Sequence, residues 1–246
     1  MEGPRLAVSW LTVLPVRTGD VDAGSARTAI AVAPVVGALL GALAAGVAIG
    51  AHLLGVPPLL AGLLAVGVLA LSTRGMHLDG LADTVDGLGC YGPPERALRV
   101  MRDGGAGPFA VAALVLSMGA QAASIGALAA AGRWGPILLA CACGRAAFGW
   151  CCRRGYPAAR EDGMGALVAG SQPRAAPVLW AAVLAVAGWF AAPWIGPLAV
   201  VLAAALLGAS TWHVRRRLGG ITGDVLGAAC ELTTTVVLVI CTVPPP

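Results

Sequence analysis

Three aspartates, Asp79, Asp83 and Asp86, stand in the segment Arg74-Gly-Met-His77-Leu-Asp-Gly-Leu-Ala-Asp-Thr-Val-Asp-Gly. In a helix over residues 78–88 they occupy i, i+4 and i+7, within roughly a 60° arc of one face. Like charges at that spacing repel, so the pattern calls for a cation between them, and a divalent metal ion is the simplest. Downstream, Pro93-Pro94 opens and Gly104-Gly105 closes a short helix in which Arg96, Arg99 and Asp103 share a face. Asp103 adds a fourth carboxylate for metal, and the guanidinium groups suit phosphate oxygens. Metal with arginine fits a diphosphate, and the chemistry is metal-assisted phosphoryl transfer. His77 lies opposite Asp86 on an ideal helix. It serves as a proton acceptor if Gly75 or Gly80 breaks the helix, and otherwise as a packed histidine.

Other polar residues extend the set. Arg145 interrupts an apolar run and needs a partner there, an acid of the cluster or a bound phosphate. Arg74, Arg96, Arg99, Arg102, Arg145 and Arg160 form the pool of phosphate clamps. Gly163 and Gly165, after Arg160, leave room for backbone N–H groups to approach an anion. In Gly219-Gly-Ile-Thr222-Gly-Asp224, Asp224 either caps the last helix or belongs to an anion site at its N-terminus. Glu231, i+7 from Asp224, is placed deep enough to need a partner of its own.

These residues must be positioned by a membrane scaffold. The 246 residues are 58% apolar and 11% charged, against about 25% charged in a soluble domain. Apolar runs fall at about 29–56, 58–73, 107–131, 135–152, 176–192, 196–212 and 224–243, which predicts an all-α bundle of about seven transmembrane helices in one domain, 1–246. Two of the runs are short against the about 20 residues that a span needs. Arg fills 1–28, 74–106, 153–175 and 213–223, whereas only Arg133 lies in an opposite turn. The positive-inside rule therefore puts the N-terminus and these loops in the cytoplasm, and every acid except Glu231 falls in or beside them. The segment before Pro15 reads as interfacial rather than as a signal peptide. The seven cysteines lack C-x-x-C spacing and read as small apolar packers. A net charge of +4, confined to a few loops, gives no reason to expect nucleic acid.

The chain resembles the cobalamin synthase family, adenosylcobinamide-GDP ribazoletransferases, over nearly its whole length. The resemblance rests on Leu14-Pro-Val16, on Arg74-Gly-Met-His-Leu-Asp-Gly-Leu-Ala-Asp-Thr-Val-Asp-Gly-Leu88, on Met101-Arg-Asp103, on the Arg160 to Gly165 loop, and on Gly219-Gly-Ile-Thr-Gly-Asp-Val-Leu-Gly-Ala228. Arg102 stands where the family usually has Lys, with the charge kept. The resemblance implies a Mg²⁺-dependent integral enzyme of the inner membrane. It would join adenosylcobinamide-GDP to α-ribazole or its 5′-phosphate and release GMP at the cytoplasmic face. Asp79, Asp83, Asp86 and Asp103 are then expected to hold the metal. Partners in the lipid membrane are left open: a second copy of the chain or other membrane enzymes of the pathway. Two other readings differ in residues. A CDP-alcohol phosphotransferase requires Arg after Ala82, where Asp83 stands. A divalent-cation transporter wants acids near mid-membrane in two related halves.

Overall fold

The structure, a computed structural model, describes residues 2–244, and these residues form helices and connecting turns only. The helices in chain order are α1 (Glu2–Leu11), α2 (Ala23–Leu53), α3 (Pro58–Ser72), α4 (Met76–Gly89), α5 (Pro94–Val100), α6 (Pro108–Ala130), α7 (Gly135–Cys151), α8 (Gly163–Val168), α9 (Ala175–Ala191), α10 (Ile195–Leu218) and α11 (Gly223–Cys241). Each of the seven apolar runs becomes one helix, and the turn residues explain the breaks. Gly55 and Gly132 adopt φ of 83° and 68° just past α2 and α6. That left-handed conformation ends helices and costs glycine little. Prolines occupy the opening turns of α3, α5, α6 and α7, where a missing N–H is harmless.

Length separates the apolar helices. α2, α6, α10 and α11 are long and apolar enough to cross a membrane, whereas α7 and α9 are 17 residues each. α3 reaches spanning length only if α4 is added to it, and the two are bent by 91°. α4 packs beside the first turns of α6 and α11.

Small residues set the helix separations. A Cβ on Gly37 of α2 or Gly62 of α3 would overlap the backbone of α7 or α6 respectively, the close approach that membrane helices reach through van der Waals packing. Pro34 removes one backbone N–H within α2. Nearby, the Trp180 indole donates to the Ala31 carbonyl (2.9 Å) and Gln172 donates to the Arg27 carbonyl (2.8 Å), so α2 is fastened by side chains at its proline turn. All seven cysteines are free, six of them buried as apolar packers.

The N-terminal segment is a helix, with Leu6, Ala7 and Leu11 buried and α1 lying against α2. Arg153 is sandwiched between the Trp150 and Tyr156 rings, at 4.0 and 3.7 Å from their centroids, which fixes the loop after α7.

Candidate active site at the acidic helix

α4 is continuous from Met76 to Gly89, so the predicted helix forms and neither Gly75 nor Gly80 interrupts it. The bend before it passes through Arg74 and Gly75, both left-handed at φ 56° and 66°. A non-glycine residue there is uncommon, and the Arg74 side chain holds it. Its guanidinium donates to the Ser9 and Thr12 carbonyls, both at 3.1 Å, at the end of α1. Arg74, expected as a phosphate clamp, thus serves the bend.

Glycine decides how α4 meets α11. A Cβ on Gly80 would come within 2.6 Å of the Asp224 carbonyl oxygen, and one on Gly227 within 3.1 Å of the His77 backbone. This crossing brings Asp224 beside the acids of α4. Burial pushes the Asp83 carboxyl up to about 6, assisted by repulsion from Asp79 and Asp224, with Arg160 opposing and Asp86 adding a little. Asp79 is exposed and Asp83 and Asp224 are half-buried, so this face is open to a ligand. Asp224 does not cap α11. The Thr222 hydroxyl accepts from the Val225 N–H (3.3 Å) and lies 3.2 Å from Asp224 Oδ2, to which it donates.

Arg160 reaches the same face. Its Nη1 lies 3.6 Å from Asp224 Oδ2 and its Nη2 donates to the Leu98 carbonyl at 2.7 Å, linking the 153–162 loop to α5 and α11. Arg102 instead forms an exposed pair with Asp162, at 2.7 and 2.8 Å. Arg96 and Arg99 are exposed on α5 and, among the described residues, form no ion pair.

Two of the four expected metal ligands stand differently from Asp79 and Asp83. Both oxygens of Asp86 accept backbone N–H groups, from Gly107 at 2.6 Å and Ala110 at 3.0 Å, at the opening turn of α6. An anion there satisfies unpaired donors and the helix dipole. Asp103 lies beyond α5, which ends at Val100, and is exposed in the following turn. Among the described residues, no three of these acids bring carboxylate oxygens within 4.8 Å of one another.

His77 and Arg145 point elsewhere. His77 is buried at 4% exposure, with its ring 5.7 Å from that of Phe148 and its Nδ1 3.4 Å from Arg145 Nη2. The expected partner of Arg145 among the aspartates is therefore replaced by His77, with Glu231 of α11 lining the same small cavity. The spacing that opposes His77 to the acids on α4 had already put them on different faces. By contrast, the approach of Asp224 depends on a crossing some 140 residues apart in sequence. Its one sequence signal is glycine at both contact points, Gly80 and Gly227.

An all-helical membrane bundle, carrying acids and arginines together at one end of its long helices, defines an integral membrane protein built to handle a charged ligand at that end. The chain belongs to the cobalamin-5-phosphate synthase family, whose model matches residues 3–242. It is 42% identical to an adenosylcobinamide-GDP ribazoletransferase of Nocardioides sp., over 95% of each chain. Proteins of the same name from Frankia casuarinae, 38% identical over 98% of this chain and 95% of the other, and from Corynebacterium efficiens, 35% identical over 98% and 91%, are also similar. No solved structure matches.

Proposed function

We propose that the protein transfers the cobinamide phosphoryl group of adenosylcobinamide-GDP to a hydroxyl of α-ribazole or of α-ribazole 5′-phosphate, completing the nucleotide loop of cobalamin and releasing GMP. The family match supports the substrates. The single observation that carries the site is the crowding of Asp79, Asp83 and Asp224 on one open face beside Arg160.

That donor set suits Mg²⁺, which keeps several waters and needs one or two carboxylates plus substrate phosphates rather than a closed cage of protein ligands. Asp79, Asp83 and Asp224 would hold it, and when bound it supplies charge neutralisation on the diphosphate. Asp86 secures the start of α6 beside them. Arg160, already drawn to Asp224, lies where it can take a phosphate oxygen, and Arg96 and Arg99 are free at the surface to steer the anion inward. The acceptor oxygen forms a bond to the phosphorus nearer cobinamide, the bridging P–O bond breaks, and GMP carries away the electron pair. The hydroxyl proton passes to an open carboxylate of this face; buried His77 faces the interior.

The same reading assigns topology. Seven crossings with α4, α5 and α8 at the cytoplasmic face of a bacterial inner membrane follow from the arginine-rich loops at this end and the nearly uncharged turns at the other.

The experiment is GMP release by the purified, lipid-reconstituted protein supplied with adenosylcobinamide-GDP and α-ribazole, with and without Mg²⁺. Turnover that persists undiminished after chelation overturns the metal assignment, and absence of GMP overturns the reaction.

A further inference from the structure

A second polar cluster lies on the interior side of α4. Gln121 of α6 donates to Glu231 Oε2 at 2.7 Å and to Thr235 Oγ1 at 3.0 Å. Glu231, Arg145, Gln121 and Thr73 line a small cavity of about 20 Å³, room for a single water. Arg145, Gln121 and His77 are each no more than 4% exposed, and Glu231 is 8% exposed. The cluster thus joins α4, α6, α7 and α11, with Thr73 at the bend between α3 and α4.

Ligand atoms of His77, Cys230 and Glu231 lie within 4.8 Å of one another, the composition of a metal site. Arg145 argues against an ion there. Its guanidinium already meets the His77 ring and lines one cavity with Glu231, and an added dication would place a second positive charge beside it in an apolar interior.

We propose that Arg145, Glu231 and Gln121 are positioning residues for the transfer: through His77 they pin the N-terminal end of α4 so that Asp79 and Asp83 stand against Asp224. Three observations meet in this assignment. The bend before α4 is sharp and strained. Its outer side is tied by Arg74 to α1, while on its inner side Thr73 lines the cluster's cavity and His77, just past the bend, meets Arg145. The Gly80–Gly227 contact that brings Asp224 in lies one helical turn from His77.

The inference rests on the transfer reading for its kinetic arm alone. Arg145 and Glu231 are both buried and line one cavity, so removing either charge leaves the other uncompensated there, whereas removing both leaves no stranded charge. Arg145→Gln and Glu231→Gln are therefore compared with the Arg145→Gln/Glu231→Gln double variant in reconstituted membranes. Each single variant should speed hydrogen–deuterium exchange across residues 76–89 with α9 unchanged, and should lower kcat by about tenfold with KM for adenosylcobinamide-GDP kept. The double variant should recover both. Exchange in α4 equal to wild type in the single variants, or a double variant no better than the worse single one, overturns the proposal. Where the Arg145 and Glu231 variants cannot be purified, Gln121→Ala, which removes a neutral donor from Glu231, is subject to the same exchange comparison. Exchange decides the proposal even if the wild type releases no GMP, an outcome that would count against the reaction only.

Discussion

The two sides of α4 meet acids under opposite conditions. On the open side, Asp79 and Asp83 face Asp224 with the Arg160 guanidinium close by, and among the described residues no other salt bridge reaches these acids. On the inner side, Glu231 is enclosed with Gln121 donating to it and Arg145 lining the same cavity. A charge in an apolar interior must be paired by the protein itself. A charge at the open end can be left for a ligand. The comparison teaches that an acid's surroundings, more than its presence beside a membrane, separate a ligand-binding role from a positioning one.

The sharpest way to break that contrast is to remove an open acid. Asp83→Asn should cut GMP release by at least about a hundredfold while leaving the melting temperature in detergent close to wild type. A variant that keeps near wild-type turnover would leave the open side with no chemical role. Next in size, Gly80→Val drives a side chain into the Asp224 backbone and should separate the two acid-bearing helices. A loss of about 1–3 kcal/mol is expected for overpacking, together with a fall in activity that added Mg²⁺ restores only in part. Thermal melting and turnover measured on one preparation check it.

Titration sharpens the comparison further. The folded Asp83 carboxyl sits at about 6, above its ordinary 3.8, so the fold favours its neutral form and the charged form is present only above that pH. A cation needs the charged form. At limiting Mg²⁺ the rate should therefore fall about tenfold per pH unit below 6, and more Mg²⁺ should move that limb to lower pH. A limb that stays fixed as Mg²⁺ is raised would separate Asp83 from the metal. The sign for stability is opposite: without divalent ions, this group favours folding more as pH drops through 6. The smallest effect is expected at Arg102→Ala. Its pair with Asp162 is exposed on both sides, so the melting temperature should scarcely move, reflecting less than about 1 kcal/mol. A large drop in activity without a change in stability would bring Arg102 back among the phosphate clamps.

Much of this was legible in the chain. Apolar runs and their Gly and Pro breaks gave all seven apolar helices close to their observed limits, because a helix in lipid must satisfy its own backbone and so writes itself as an unbroken apolar stretch. The stripe of Asp79, Asp83 and Asp86 is likewise a property of one helix. What the stripe could not reveal is that Asp86 is taken up by the start of α6, or that Arg102 finds Asp162 and Arg74 finds α1. Those partners lie 21 to 65 residues away in sequence. Nor does pattern alone reveal that α3, short for a span, runs into α4 through a bend of 91°.

By itself, then, the sequence determined the class of protein, the helices, the family and the acidic face of α4. The class, the helices and the acidic face depend on composition or on periodicity within a single segment, and the family on the resemblance of motifs spread along the chain. Only the tertiary structure decided which acids share that face with Asp224, which are consumed as caps, and that Arg145 looks inward to His77 and Glu231. The reason is physical. A side chain's partner is fixed by how close two helices can come, and that distance is set here by the absence of a Cβ at Gly80 and Gly227.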